Sequence, residues 1–212
     1  ALLLSNCSNS NPKYEYLEKD DSFRKKIKSG DFVELSHGFT YFEKNNLNND
    51  EIAVFIHGFS VPSYIWDETY YESVERGLGV IRLDLYGRGN SSNPDTIYND
   101  QLYANQVIEL LDYLNIDKKV SLVGLSNGGR VVSTIAYLYP ERVKRLVYVA
   151  PGGFHDKKTA PDSRPVLQSD VDTFIEKNYS TIAKGQMSDF KYPERFKGWD
   201  ERYERLLKFK GF

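Results

Sequence analysis

The chain has 212 residues, 28 Lys and Arg against 30 Asp and Glu, and a net charge of −2, so it carries none of the basic excess that nucleic-acid binding needs. A single cysteine excludes an intramolecular disulfide and a multi-cysteine zinc site, and the three histidines, His37, His57 and His155, show no HExxH-like pairing from which to build a metal centre. With 16 Tyr, 12 Phe and 2 Trp and no apolar run long enough to span a bilayer, the chain reads as globular, with one sizeable core.

The N-terminal ALLLSNCSNSNP starts without methionine and runs from a short apolar stretch through a cysteine into Ser and Asn. Leu4-Ser5-Asn6-Cys7 resembles the end of a bacterial lipoprotein signal, although Asn6 stands where that signal has Gly, Ala or Ser. The expectation is a lipidated Cys7 anchoring the protein to a bacterial membrane; without it, the protein is expected in the cytoplasm. Residues 1–31 are expected to form the tether and an approach segment with one helical turn. DFVELSHGFTYFEKN then predicts two short strands around Ser36-His37-Gly38. EIAVFIHGF is a near-continuous apolar run, as suits a strand buried on both faces. Residues 63–76 are expected to be helical, and LGVIRLDLYGRGNSSNPD gives a second buried strand running into a Gly, Asn, Ser and Pro loop. Apolar residues at 103, 107, 110, 111 and 114 have the spacing of a packed helix, with Asn99 or Asp100 as its N-cap. Strand 119–124, a helix ending at Tyr139-Pro140, and the strand VKRLVYVA follow. Strands alternating with helices at this spacing predict crossover units and a mostly parallel sheet with helices on both faces. Beyond residue 155 the segments DVDTFIEKNYSTIAKG and PERFKGWDERYERLLKFKGF are helical candidates without a further strand.

The stretch VSLVGLSNGGRVVS, residues 120–133, contains Gly124-Leu125-Ser126-Asn127-Gly128, a Gly-x-Ser-x-Gly pentapeptide between a predicted strand and a predicted helix. A sharp strand-to-helix turn projects such a serine above the sheet as a nucleophile. Side chains two residues either side of it would collide, so only glycine fits at 124 and 128. The helix N-terminus adds unpaired N–H groups and a partial positive charge, which favour an oxyanion. The alternative is a serine that merely caps a helix.

With HGF after one strand, DLYGRGNS after the next, GLSNGG at the turn and then YPERVKRLVYVAP, the chain resembles the α/β-hydrolase family over residues 32–151. The resemblance implies Ser126 as nucleophile, and the backbone N–H groups of Phe59 and Asn127 as the oxyanion hole. It also implies a structural role for His57, which precedes the serine. Asp84 is expected to tie the loop after its strand rather than to serve as the catalytic acid, and Gly87 and Gly89 to allow the turn, with Arg88 set aside as an anion clamp. A serine at the turn is at odds with the haloalkane dehalogenases and epoxide hydrolases of this fold, which use aspartate there. The implied activity is hydrolysis of carboxylic esters through a covalent acyl-enzyme. The alternatives are a carbon–carbon hydrolase of the meta-cleavage type and a non-catalytic binding module. No cofactor, metal or nucleic-acid partner is implied, only a small ester-type substrate.

The family places its acid and histidine after two further strands, and neither is recognisable here. His155 lies just past the last strand, and Asp156 and Asp162 have no later histidine to pair with. The expectation is therefore an α/β-hydrolase core over residues 32–153 and a partial helical cap over 154–212. The last strands, the catalytic histidine and its acid are expected beyond residue 212. Phe174, Tyr179, Phe190, Tyr192 and Trp199 of the cap are expected to favour uncharged, moderately apolar acyl groups.

Overall fold

A computed structural model describes residues 16–154, 173, 177 and 198–209. Cys7, His155, Asp156, Asp162, Phe174, Tyr179, Phe190 and Tyr192 lie outside the described residues.

Strand β1 (Asp31–Leu35) pairs antiparallel with β2 (Gly38–Asn45), with Leu35 opposite Gly38 at the tight end of the hairpin. β2 runs antiparallel to β4 (Gly79–Leu83). From there the pairing is parallel: β3 (Ile52–Ile56) lies between β4 and β5 (Val120–Leu125), and β5 carries β6 (Val143–Val149). The sheet order is β1-β2-β4-β3-β5-β6.

The two-residue period of the strands sorts their side chains between two helical layers. Val54 and Ile56 of β3, Ile81 and Leu83 of β4 and Leu122 of β5 face α3 (Asp100–Tyr113) and α4 (Asn127–Leu138), from which Val107, Leu111, Val131 and Ile135 close the main core. Phe55 and Val80 point the other way, onto Trp66 and Tyr70 of the turn Ser63–Trp66 and of α2 (Asp67–Glu75). Burying each of these large apolar side chains contributes about 1.5–3 kcal/mol. Helices thus cover both faces of the central strands. α3 starts where Asn99 caps it, its side-chain oxygen accepting from the Leu102 N–H at 2.8 Å.

One charged residue sits inside the apolar run of β4. Arg82 faces α2, is 2% exposed, and pairs with Glu43 of β2 at 2.8 Å and with Asp67 of α2. Its guanidinium stacks on Tyr70. Two carboxylates and a ring thus compensate the buried cation, and the triad joins both helical and strand neighbours of β4.

The helix Trp199–Leu206 packs Trp199 and Leu206 against Val61 and Tyr64, and its Arg202 pairs with Asp67 at 3.1 Å. Just beyond it, Lys208 C=O accepts from the N–H groups of Tyr16 and Leu17 at 2.9 and 2.8 Å, and Leu17 forms a parallel bridge with Phe209. The same N-terminal strap sends Lys19 Nζ to Ser91 O and Asn93 Oδ1, both at 2.6 Å, and then enters α1 (Asp21–Lys26), capped by Asp20.

Candidate active site

β5 delivers the chain to Ser126 at the C-terminal edge of the parallel strands, and α4 begins at the next residue. Ser126 has φ 51° and ψ −116°, a backbone state that residues with a Cβ rarely occupy. Its main chain is fixed on both sides: the N–H donates to Val149 O at 3.0 Å, and the C=O accepts from Gly129 and Gly152 N–H at 2.9 Å each. Although Ser126 stands at the N-cap of α4, its hydroxyl makes no capping hydrogen bond, and the residue is exposed. The strain therefore serves no helix cap.

The glycines around it are there for lack of room. A Cβ at Gly124 would lie 2.4 Å from Gly128 O, and a Cβ at Gly128 would lie 2.4 Å from Ile56 O and 2.7 Å from His57 O. The pentapeptide is thus folded back on itself and pressed onto the end of β3.

The loop after β3 runs beside the serine, with the Cβ position of Gly58 3.2 Å from Ser126 Cβ and 3.8 Å from Oγ. His57 is fully buried beneath this loop. Its Nε2 accepts from Leu85 N–H at 2.9 Å, so the ring proton sits on Nδ1, which donates to Gly58 O at 2.7 Å. Burial holds its pKa down to about 4, against the opposing pull of the Asp84 charge and the Gly58 bond, so the ring is neutral. A neutral imidazole bonded to backbone at both nitrogens acts as a strut. Gly58 C=O and Phe59 N–H belong to one planar trans peptide and point in opposite directions, so holding the carbonyl aims the N–H. Among the described residues, the N–H groups of Phe59 and Asn127 have no protein acceptor.

Asp84, 2% exposed at the end of β4, accepts from Ser63 N–H at 2.8 Å through Oδ1 and from Asn90 N–H at 2.7 Å through Oδ2. Both carboxylate oxygens thus tie loops, as the sequence leads one to expect. Gly89 is needed under it, since a Cβ there would meet Asp84 Oδ2 at 2.0 Å.

Phe59 and Asn127 line a cleft of about 530 Å³ together with Arg88, Tyr98, Tyr103 and Arg130. Arg130 is paired with Asp100 at 2.8 Å. Tyr98 and Arg130 carry no signal in the sequence that places them here, although Asp100 and Arg130 occupy the first turns of α3 and α4, the helix ends that gather at the carboxyl edge of a parallel sheet. Trp199, counted among the aromatics of the cap, packs on Tyr64 with ring centroids 5.1 Å apart and is not among the cleft residues. Its own helix buries it against the turn before α2. No histidine follows Ser126 among the described residues.

A family model for the alpha/beta hydrolase fold matches residues 54–208. The chain belongs to the alpha/beta hydrolase fold family. The core over β3 to β6 and the helices that flank it are this family's sheet and crossover helices. Among curated proteins, an uncharacterised protein of Mycobacterium tuberculosis is 39% identical over 98 residues, 46% of this chain and 28% of that protein. A putative chloroplastic methylesterase 12 of Arabidopsis thaliana is 31% identical over 97 residues, 45% of this chain and 28% of that protein. The matched stretch thus spans less than a third of the length of either relative. A probable hydrolytic enzyme from Pseudomonas aeruginosa superposes with a TM-score of 0.72 at 22% identity, over 94% of this chain and 67% of that one, a likeness of fold.

Proposed function

We propose that this alpha/beta hydrolase is a serine hydrolase acting on carboxylic esters through an acyl-enzyme. The observation that carries the reading is Ser126, held at φ 51° with a hydroxyl that caps nothing and stands open beside the 58–59 loop. Strain of about 1–3 kcal/mol persists only where surrounding structure enforces it, and it clusters at functional sites. The similarity to a putative methylesterase supports the choice of ester over other acyl substrates.

In this reading Ser126 Oγ attacks the ester carbonyl, its proton passes to a base, and the carbonyl oxygen becomes an oxyanion. The N–H groups of Phe59 and Asn127 receive that charge, each such donor being worth about 2.7–4 kcal/mol in the transition state. Collapse expels the alcohol with the proton returned to it, and water then hydrolyses the acyl-enzyme. We assign the base to a histidine C-terminal to Ser126, in the family's order of nucleophile, acid and histidine. His57 is unsuited to the role, because both ring nitrogens are engaged by backbone.

The test is fluorophosphonate labelling and p-nitrophenyl butyrate hydrolysis by the full gene product. Labelling at Ser126 and a loss of at least about 10³-fold in Ser126→Ala are expected. Undiminished turnover in Ser126→Ala refutes the assignment. Attachment to a membrane through lipidated Cys7 is a separate proposal. Under it, Cys7→Ala moves the protein from the membrane to the soluble fraction, and an unaltered protein already soluble with its N-terminus unprocessed defeats it.

A further inference from the structure

We infer that Arg88 is a positioning residue for the oxyanion hole, clamping Phe59 by its carbonyl and its ring at once. The inference rests on the reading of Ser126 as nucleophile and of the Phe59 N–H as an oxyanion donor.

Ties at different depths run from the loop after β4 to the loop after β3. The Leu85 N–H bonds His57, the Asp84 carboxylate holds Ser63 N–H, and Arg88 Nε donates to Phe59 O. The first two are buried and lie beneath the site. The third is at the surface of the cleft and ends on the donor residue itself.

Phe59 is otherwise poorly held, the residue being 68% exposed. The Arg88 guanidinium stacks on that ring with its central carbon 4.6 Å from the ring centroid, while Nη1 donates to Gly87 O at 2.7 Å. The base of the clamp is rigid in turn: Gly87 N–H donates to Ser92 O at 2.9 Å, and Arg88 N–H to Leu85 O at 3.0 Å. One planar cation thus joins a fixed turn to the carbonyl and ring of a solvent-facing loop residue.

The consequence for chemistry follows from where these holds fall. His57 fixes the peptide that carries the Phe59 N–H from the Gly58 side, and Arg88 fixes Phe59 from the other side, through its carbonyl and ring. Together they leave the N–H little freedom to swing toward water. An oxyanion donor stabilises the transition state only if it is already aimed where charge develops. Arg88 therefore acts on kcat through Phe59, and its Nε and Nη1 are engaged by carbonyls rather than offered to substrate. Lysine is no full replacement, because an ammonium lacks the planar fork that bridges two carbonyls while stacking on a ring.

The test uses the full gene product, an uncharged ester (p-nitrophenyl butyrate), and butylboronic acid, which forms a tetrahedral adduct with a nucleophilic serine. In Arg88→Met, kcat is expected to fall about 10–100-fold with KM within about threefold, since one donor is misaimed rather than removed. The inhibition constant of the boronic acid should rise in parallel, while the melting temperature stays within about 2 °C. Arg88→Lys should lie between the two. On a Phe59→Ala background, where the ring is gone, Arg88→Met should cost at least threefold less than on the wild type, the signature of coupled residues. Full kcat in Arg88→Met, or strictly multiplicative effects in the double variant, overturns the inference while leaving the nucleophile reading intact. A fall in kcat accompanied by a comparable loss of melting temperature also overturns it, since that is what a purely structural role gives. Absence of Ser126 labelling in the wild type overturns the nucleophile reading and this inference with it.

Discussion

Replacing Ser126 by glycine should make the protein more stable, and the size of the effect follows from its backbone. At φ 51° and ψ −116° the serine Cβ is the source of the strain, so glycine relieves it and alanine does not. Such strain amounts to about 1–3 kcal/mol, against which glycine loses about 0.5–1 kcal/mol through the greater freedom of its unfolded chain. The net gain is about 1 kcal/mol, or a melting temperature about 2–4 °C higher for a chain of this size. Because the hydroxyl makes no capping bond, Ser126→Ala should be close to neutral. The pair of variants separates strain from chemistry, since both remove the hydroxyl and only one removes the Cβ. Thermal unfolding by circular dichroism, checked by urea titration, reads the difference. A Ser126→Gly protein less stable than Ser126→Ala would refute the argument that the turn is strained.

Gly128→Ala places a Cβ 2.4 Å from Ile56 O, so the elbow must move off β3; a loss of about 1–3 kcal/mol in urea unfolding is expected, together with most of the ester hydrolysis. The pH dependence of stability should carry the mark of His57, whose folded pKa of about 4 lies below its ordinary 6.5. The unfolded chain therefore takes up the proton first, so stability present above pH 6.5 is lost as the pH falls toward 4, by about 3 kcal/mol. His57→Gln should remove that portion of the slope; an unchanged slope in urea titrations from pH 7 to 4 would rule out the buried neutral imidazole.

The parts of the fold legible in the sequence are those set by local rules. Strand-to-helix alternation, an N-cap at Asn99 or Asp100 and the helix stop before Pro140 depend on residues a few positions apart; the structure follows the alternation and the stop, and takes Asn99 of the two caps. The spacing of Gly124 and Gly128 announced a close approach, and the structure supplies the atoms that require it, some of them on β3 and distant in sequence. What was not legible depends on the partner across space. Arg82 sits unannounced in an apolar strand because its carboxylates come from β2 and α2. Arg88 was weighed against substrate anions, when its partner is a phenylalanine from another loop. The ring of Trp199 is held by Tyr64, in a turn more than a hundred residues earlier. No periodicity carries such information, because periodicity says which face is apolar and not what lies opposite.

The strap that joins Tyr16 and Leu17 to Lys208 and Phe209 has a consequence for the order in which the molecule assembles. A ribosome adds about 5–20 residues per second, so on the order of ten seconds or more separates the making of Leu17 from that of its partner. By then β1 to β4, all made earlier, have the means to pair among themselves, and Lys19 has the Ser91 and Asn93 oxygens to hold. Leu17 must stay unpaired throughout, beside a sheet with edges of its own to offer. Among the described residues, the first to be synthesised are thus among the last to find their place.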